Sequence, residues 1–216
     1  MRFRTEIESI KACFELGHAD KMVLLGSCFT DEVGSRLAAD GFDVCANPFR
    51  ALYNPMSICR CIDRILSGEA YSEADLTSGP RGYHCLDYAT RYSGADIAAL
   101  LGVLNDDASR LRESLCAGPT VFLTFGTAYV YRLREDGRLV GNCHKFPAGD
   151  FDRRLLSVDE IVAAVSDSLH RMRDAGVRRV VFTVSPIRHV ADGLHGNTVS
   201  KAVLHLAVER LCAEWD

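Results

Sequence analysis

Ser27 lies in Leu25-Gly26-Ser27-Cys28-Phe29, where an apolar run ends and a helical pattern begins. A hydroxyl at such a strand-to-helix turn projects from the sheet edge. Its own N–H and that of Cys28 would lie at the helix N-terminus, oriented to stabilise an oxyanion. The same position equally suits a serine that caps the helix. Cys28 competes as nucleophile, because a thiol near a helix N-terminus has a lowered pKa. The residue after the turn usually points inward, however, and a free cysteine packs well.

A serine nucleophile needs a base, normally an imidazole oriented by a third group. Seven histidines are available. His18, His170 and His205 read as surface residues, and His84 falls in an irregular segment. The densest polar constellation follows a buried strand and runs from Ser185 to Asn197, containing Arg188, His189, Asp192 and His195. The spacing Asp192-x-x-His195 lets the carboxylate accept from the ring's Nδ1 and leaves Nε2 for the serine. An Asp-Gly turn followed by a loop histidine, with Asn197 or Thr198 as cap, fits the same residues. Arg188 would bind an acidic substrate group or pair with a local carboxylate. In Asn142-Cys143-His144, the Asn142 amide either serves an oxyanion or fixes the end of a hairpin. His144 and His189 are the imidazoles that would serve a thiol at Cys28.

His189, His195 and Asp192 are ligand types, but two histidines six residues apart match neither a zincin helix nor a zinc finger. No metal is expected. The turn at Gly26 lacks the Lys-Ser/Thr of a P-loop and the three glycines of a dinucleotide fold, so no cofactor is expected either. The nine cysteines are an odd number, most of them within apolar runs, and include no Cys-x-x-Cys pair. They read as reduced, packing thiols.

Around these residues the sequence predicts apolar strands at 21–26, 42–46, 120–125 and 179–185. Helices are expected at 31–39, 56–66, 95–116, 158–175 and 198–213. A hairpin is expected through Glu135-Asp136-Gly137, with arms at 129–134 and 138–141. Residues 67–95 show no periodicity and read as a long irregular insertion in a single domain. Continuous apolar strands alternating with helices predict an α/β fold, a three-layer α/β/α sandwich with a mostly parallel sheet. In open sheets of that kind ligands bind at the carboxyl ends of the strands, where Ser27, Asn47, Gly126 and Ser185 all fall.

The chain has 216 residues and a net charge of −4, from 25 Lys+Arg against 29 Asp+Glu. That balance gives no footprint for nucleic acid. The longest apolar runs fall far short of the ~20 residues needed to span a bilayer, so no membrane partner is expected. The first residues, Met1-Arg2-Phe3-Arg4-Thr5-Glu6-Ile7-Glu8, put acids where a signal peptide has its apolar core. A cytoplasmic location is the expectation.

Several segments together carry a resemblance. They are Gly26-Ser27-Cys28-Phe29, Asn47-Pro48-Phe49-Arg50 with Tyr53-Asn54-Pro55, Leu123 to Tyr131, Gly141-Asn142-Cys143-His144-Lys145, and Thr183 to His189 with Asp192-Gly193 and Asn197. In that order they resemble the GSCFA family, bacterial proteins related to the SGNH/GDSL hydrolases. The resemblance implies Ser27 as the serine of the first SGNH block and a serine esterase or acyltransferase acting on a small or carbohydrate-like ester. It implies His195 or His189 as base, Asp192 as its orienter, and an oxyanion site drawn from Cys28, Gly126, Asn142 or Asn54. Arg50 stands where the family is expected to have glycine, and Tyr129 where the superfamily has asparagine. Family members are expected to continue past Asp216 into a second Asp-x-x-His. The competing reading is a binding module that keeps the pocket without its base.

Overall fold

The computed structural model describes residues 13–80 and 82–215. In chain order its elements are β1 (Lys21–Gly26), α1 (Cys28–Ala39), β2 (Asp43–Ala46), α2 (Pro55–Ser67), β3 (Thr77–Gly79), β4 (Gly82–His84), β5 (Ser93–Gly94) and α3 (Ile97–Cys116). There follow β6 (Thr120–Phe125), β7 (Tyr129–Leu133), β8 (Leu139–Val140), β9 (Phe151–Leu155), α4 (Val158–Asp174), β10 (Arg179–Val184) and α5 (Gly193–Glu214).

The central sheet is wholly parallel, in the order β10-β6-β1-β2, with Val23 opposite both Cys45 and Val121, and Phe182 opposite Leu123. Both central strands, β1 and β6, are buried along almost their whole length, which is why they read as unbroken apolar runs. Helices flank the sheet and make it a three-layer α/β/α sandwich. Each helix buries one stripe. In α2 the stripe is Ile58, Cys59, Cys61, Ile62 and Ile65; in α4 it is Ile161, Val165, Leu169 and Met172. Close packing of α1 on β2 depends on Gly34, since a Cβ there would overlap that of Ala46.

Asn54 starts α2 by accepting from the Ser57 N–H at 2.8 Å, with Pro55 at the first helical position. Asn54→Ala should cost about 1 kcal/mol of unfolding free energy, while Asn54→Ser keeps an acceptor and should cost under about 0.5 kcal/mol. Urea denaturation of the two variants checks this. Equal losses would show that the cap does not contribute.

The sequence-based expectations need four corrections. Residues 67–95 are not wholly irregular, because they contain a 3-10 turn at Glu73–Asp75 and the antiparallel sheet β3-β4-β5. Strands of two or three residues are too short to show a period of two. β9 was not expected, since Asp152, Arg153 and Arg154 mask it. It pairs antiparallel with β7, opposite the β8 arm of the anticipated hairpin. Helix α5 starts at Gly193, ahead of residue 198, and α1 starts at Cys28, ahead of residue 31. The cysteines are also less buried than expected: Cys13, Cys28, Cys116 and Cys212 are exposed. Cys59, Cys61 and Cys85 are buried, and burial pushes each thiol up to about 12, which leaves them inert. Among the described residues no helix is long and apolar enough to cross a membrane.

Candidate active site at the carboxyl ends of β1 and β6

Chain connections leave β1 toward β2 on one side and pass through β6 to β10 on the other, so strand order reverses between β1 and β6. A crevice opens outside the carboxyl ends of strands at such a point. Ser27 follows β1 at this point and Gly126 follows β6.

Ser27 is 3% exposed, and its Oγ has no hydrogen-bond partner among the described residues. It stands at the N-cap position of α1 with extended backbone (φ −67°, ψ 173°), yet its side chain caps nothing. A serine serving as a cap would accept from the second or third helical N–H. Thr30 Oγ1, one turn along, is a second buried hydroxyl without a partner. Two such groups at one helix N-terminus are unusual in a folded interior.

The turn is held from both sides. Gly26 adopts φ +149°, and its N–H donates to Asn47 Oδ1 at 2.9 Å. The Asn47 amide in turn donates to Asp31 Oδ1 at 2.9 Å and to the Ser27 carbonyl at 3.4 Å. Leu52 N–H donates to the Gly26 carbonyl at 2.8 Å. Asn47 is therefore the brace of the serine turn. Sequence reasoning located Asn47 at a strand end without giving it this role, because the bond spans 21 residues.

The Ser27 N–H is not the oxyanion donor that the sequence suggested. It donates to the Thr124 carbonyl at 3.2 Å and continues the β1–β6 ladder. Gly126 is likewise corrected: its N–H and that of Thr127 both donate to the Tyr53 carbonyl, at 2.8 and 2.9 Å. Its role is spatial. A Cβ on Gly126 would lie 3.4 Å from Ser27 Cβ and 3.3 Å from Tyr53 Cδ1, so Gly126 lets the serine, its own strand end and the Tyr53 ring meet. Asn142 Oδ1 accepts from the His144 N–H at 2.8 Å, which is the turn-fixing alternative. His144 is buried against His84 and bonds the Tyr88 carbonyl through Nε2, at 2.8 Å; burial lowers its pKa. The donors left near Ser27 are the first amides of α1, Cys28 and Phe29, which precede the intrahelical ladder. Asn54, which the sequence also offered as a donor, uses its Oδ1 to cap α2, and its Nδ2 donates to no described residue.

The imidazoles are distributed unequally. His189 is half-buried and sets its ring edge-on to Tyr53, centroids 6.0 Å apart, while its N–H donates to Asn197 Oδ1 at 3.0 Å. Asn197 thus orders the His189 segment as well as lying near the start of α5. His195 is exposed on the first turn of α5 and makes no side-chain hydrogen bond among the described residues. Asp192 does not orient it. The carboxylate pairs with Arg153, whose guanidinium lies 3.6 Å from the Tyr129 ring centroid. Arg188 and Cys28 are both exposed, so Cys28 does not pack inward as expected.

Lys201, which the sequence reading passed over, ties the two strand ends together. Its ammonium donates to the Gly126 carbonyl at 2.5 Å and the Ser185 carbonyl at 2.6 Å, and burial lowers its pKa. Neighbouring Ser200 accepts from Ala128 N–H at 2.8 Å. A lysine on a helix gives no spacing signal for such a role. Among the described residues no group of three or more His, Cys, Asp or Glu is placed to hold a metal.

A model of the GSCFA family matches residues 21–216. No curated protein matches the chain, and neither does any solved structure.

Proposed function

From the premise that the chain belongs to the GSCFA family, we propose that it is a serine esterase or acyltransferase of the SGNH type, acting on a small or carbohydrate-like ester with Ser27 as nucleophile. The observation that carries this reading is the buried Ser27 hydroxyl, which among the described residues bonds nothing and caps nothing at the switch point of a parallel sheet. A structural serine there would be used.

In this reading Ser27 Oγ attacks the ester carbonyl as its proton passes to an imidazole. The tetrahedral oxyanion accepts from Cys28 N–H and Asn54 Nδ2, each well-placed donor contributing roughly 3 kcal/mol. Collapse breaks the C–O bond, and the imidazolium protonates the departing alcohol. Water or an acceptor alcohol then takes the acyl group from Ser27. His189 is favoured over His195 as base, because Tyr53 links its ring to the Gly126 wall beside Ser27. His189→Ala should lower kcat for 4-nitrophenyl butyrate about 10²–10⁴-fold, and His195→Ala should leave it within about twofold. The reverse pattern would move the base to His195.

One observation favours a second reading, in which the domain binds an acylated ligand without turning it over. No described imidazole bonds Ser27 Oγ. In that case the wild type shows no turnover of activated esters, and Ser27→Ala alters only affinity.

A further inference from the structure

At the end of β2, where Cys45 and Ala46 run into Asn47, lies an open cavity of about 310 Å³. Its walls include Asn47, Pro48, Arg50, Arg91, Arg110 and Asp107. Three arginines and a single carboxylate therefore line it, in a chain whose net charge is −4. Asp107 is 2% exposed and fully engaged. Its Oδ2 accepts from Tyr92 OH at 2.7 Å and from Arg91 at 3.2 Å, and its Oδ1 accepts from Arg110. The buried carboxylate thus fixes two arginines at the cavity while their side chains stay substantially exposed. Arg50 adds a third charge and pairs with no carboxylate among the described residues.

The backbone of Arg50 points the same way. It sits at φ +66°, in a turn where its N–H donates to the Asn47 carbonyl at 2.7 Å. This is left-handed backbone that glycine adopts freely and an arginine does not. Strained residues held by their surroundings are a feature of binding sites. Here the strain sets a guanidinium at the rim of a cavity already in positive excess. Planar guanidinium forks suit phosphate, sulfate and carboxylate oxygens.

We propose that this cavity binds an oxyanionic group of the ester that Ser27 attacks, with Arg50, Arg91 and Arg110 as its ligands, so that the substrate class is an ester bearing a phosphate, sulfate or carboxylate. The proposal rests on the serine-hydrolase reading for its link to Ser27. Its geometric link is Asn47, which lines the cavity and braces the serine turn.

Two measurements test it. Inorganic phosphate is titrated at low ionic strength into wild type, Arg50→Gly and Arg110→Gln, following binding calorimetrically and through arginine Nε–H resonances. Wild type should bind, and each variant should bind at least about tenfold more weakly. Arg50→Gly should also melt higher than wild type, because it relieves the left-handed strain, which separates lost binding from lost folding. Absence of phosphate binding by the wild type, or equal binding by Arg50→Gly, would overturn the site. The second arm compares kcat/KM for 4-nitrophenyl valerate with that for mono-4-nitrophenyl glutarate. A wild-type preference for the anionic ester that disappears in Arg50→Gly supports the substrate assignment. Phosphate binding that needs Arg50, without any such preference, overturns that assignment in favour of a free anion. Failure of the hydrolase reading shows separately, as no turnover of either ester, and leaves the phosphate result to decide the site.

Discussion

Ser27→Ala is expected to lower kcat for activated esters by roughly 10⁴-fold or more, with the fold unchanged. The hydroxyl donates to nothing and accepts from nothing among the described residues, so its removal breaks no hydrogen bond. It leaves only a small void beside Gly126. A neutral or slightly raised melting temperature accompanied by loss of turnover is therefore the signature of a nucleophile. A structural serine would give the opposite pair, with lower stability and retained activity. Steady-state kinetics and thermal unfolding of the same preparation distinguish the two.

The largest effect on stability is expected from Gly26→Ala. At φ +149° an L side chain is strained whatever its surroundings. Here the surroundings are closed as well: a Cβ would lie 2.7 Å from Thr124 Cβ and closer still to the Thr124 carbonyl oxygen. That oxygen accepts the Ser27 N–H, so the chain cannot yield without opening the β1–β6 ladder. A loss of about 4 kcal/mol or more, or roughly 10 °C in Tm, follows. A loss below about 1 kcal/mol by denaturant unfolding would show that the turn is looser than its bonds imply. The two variants probe one turn by different routes, since Gly26 shapes the backbone that presents the Ser27 side chain.

The serine turn and the parallel sheet were legible in the sequence for local reasons. β1 and β6 are continuous apolar runs because central parallel strands are covered on both faces, whereas β10, expected as a buried strand, is an edge strand whose residues are all only half-buried; Gly26 marks the backbone that fits under Thr124. Legibility stopped where partners are distant in sequence. Asp192 and His195 are close along the chain, yet the carboxylate turns to Arg153, 39 residues away. Asn47 and Lys201 act on backbone atoms 21 and 75 residues distant, which no spacing rule reveals. Ser27 N–H and Gly126 N–H were expected at an oxyanion, but strand pairing and the Tyr53 carbonyl take them instead. β9 escaped because its charged residues override the alternation that a half-buried strand would show.

The central claim is that Ser27 is the reactive group, and the most direct measurement is to treat the protein with a fluorophosphonate and map the adduct by peptide mass spectrometry. The account predicts a single adduct on Ser27, absent from Ser27→Ala and slowed in His189→Ala. An unmodified Ser27 in folded wild type would contradict it. Iodoacetamide inactivation that persists in Ser27→Ala and vanishes in Cys28→Ala would move the chemistry to the neighbouring thiol.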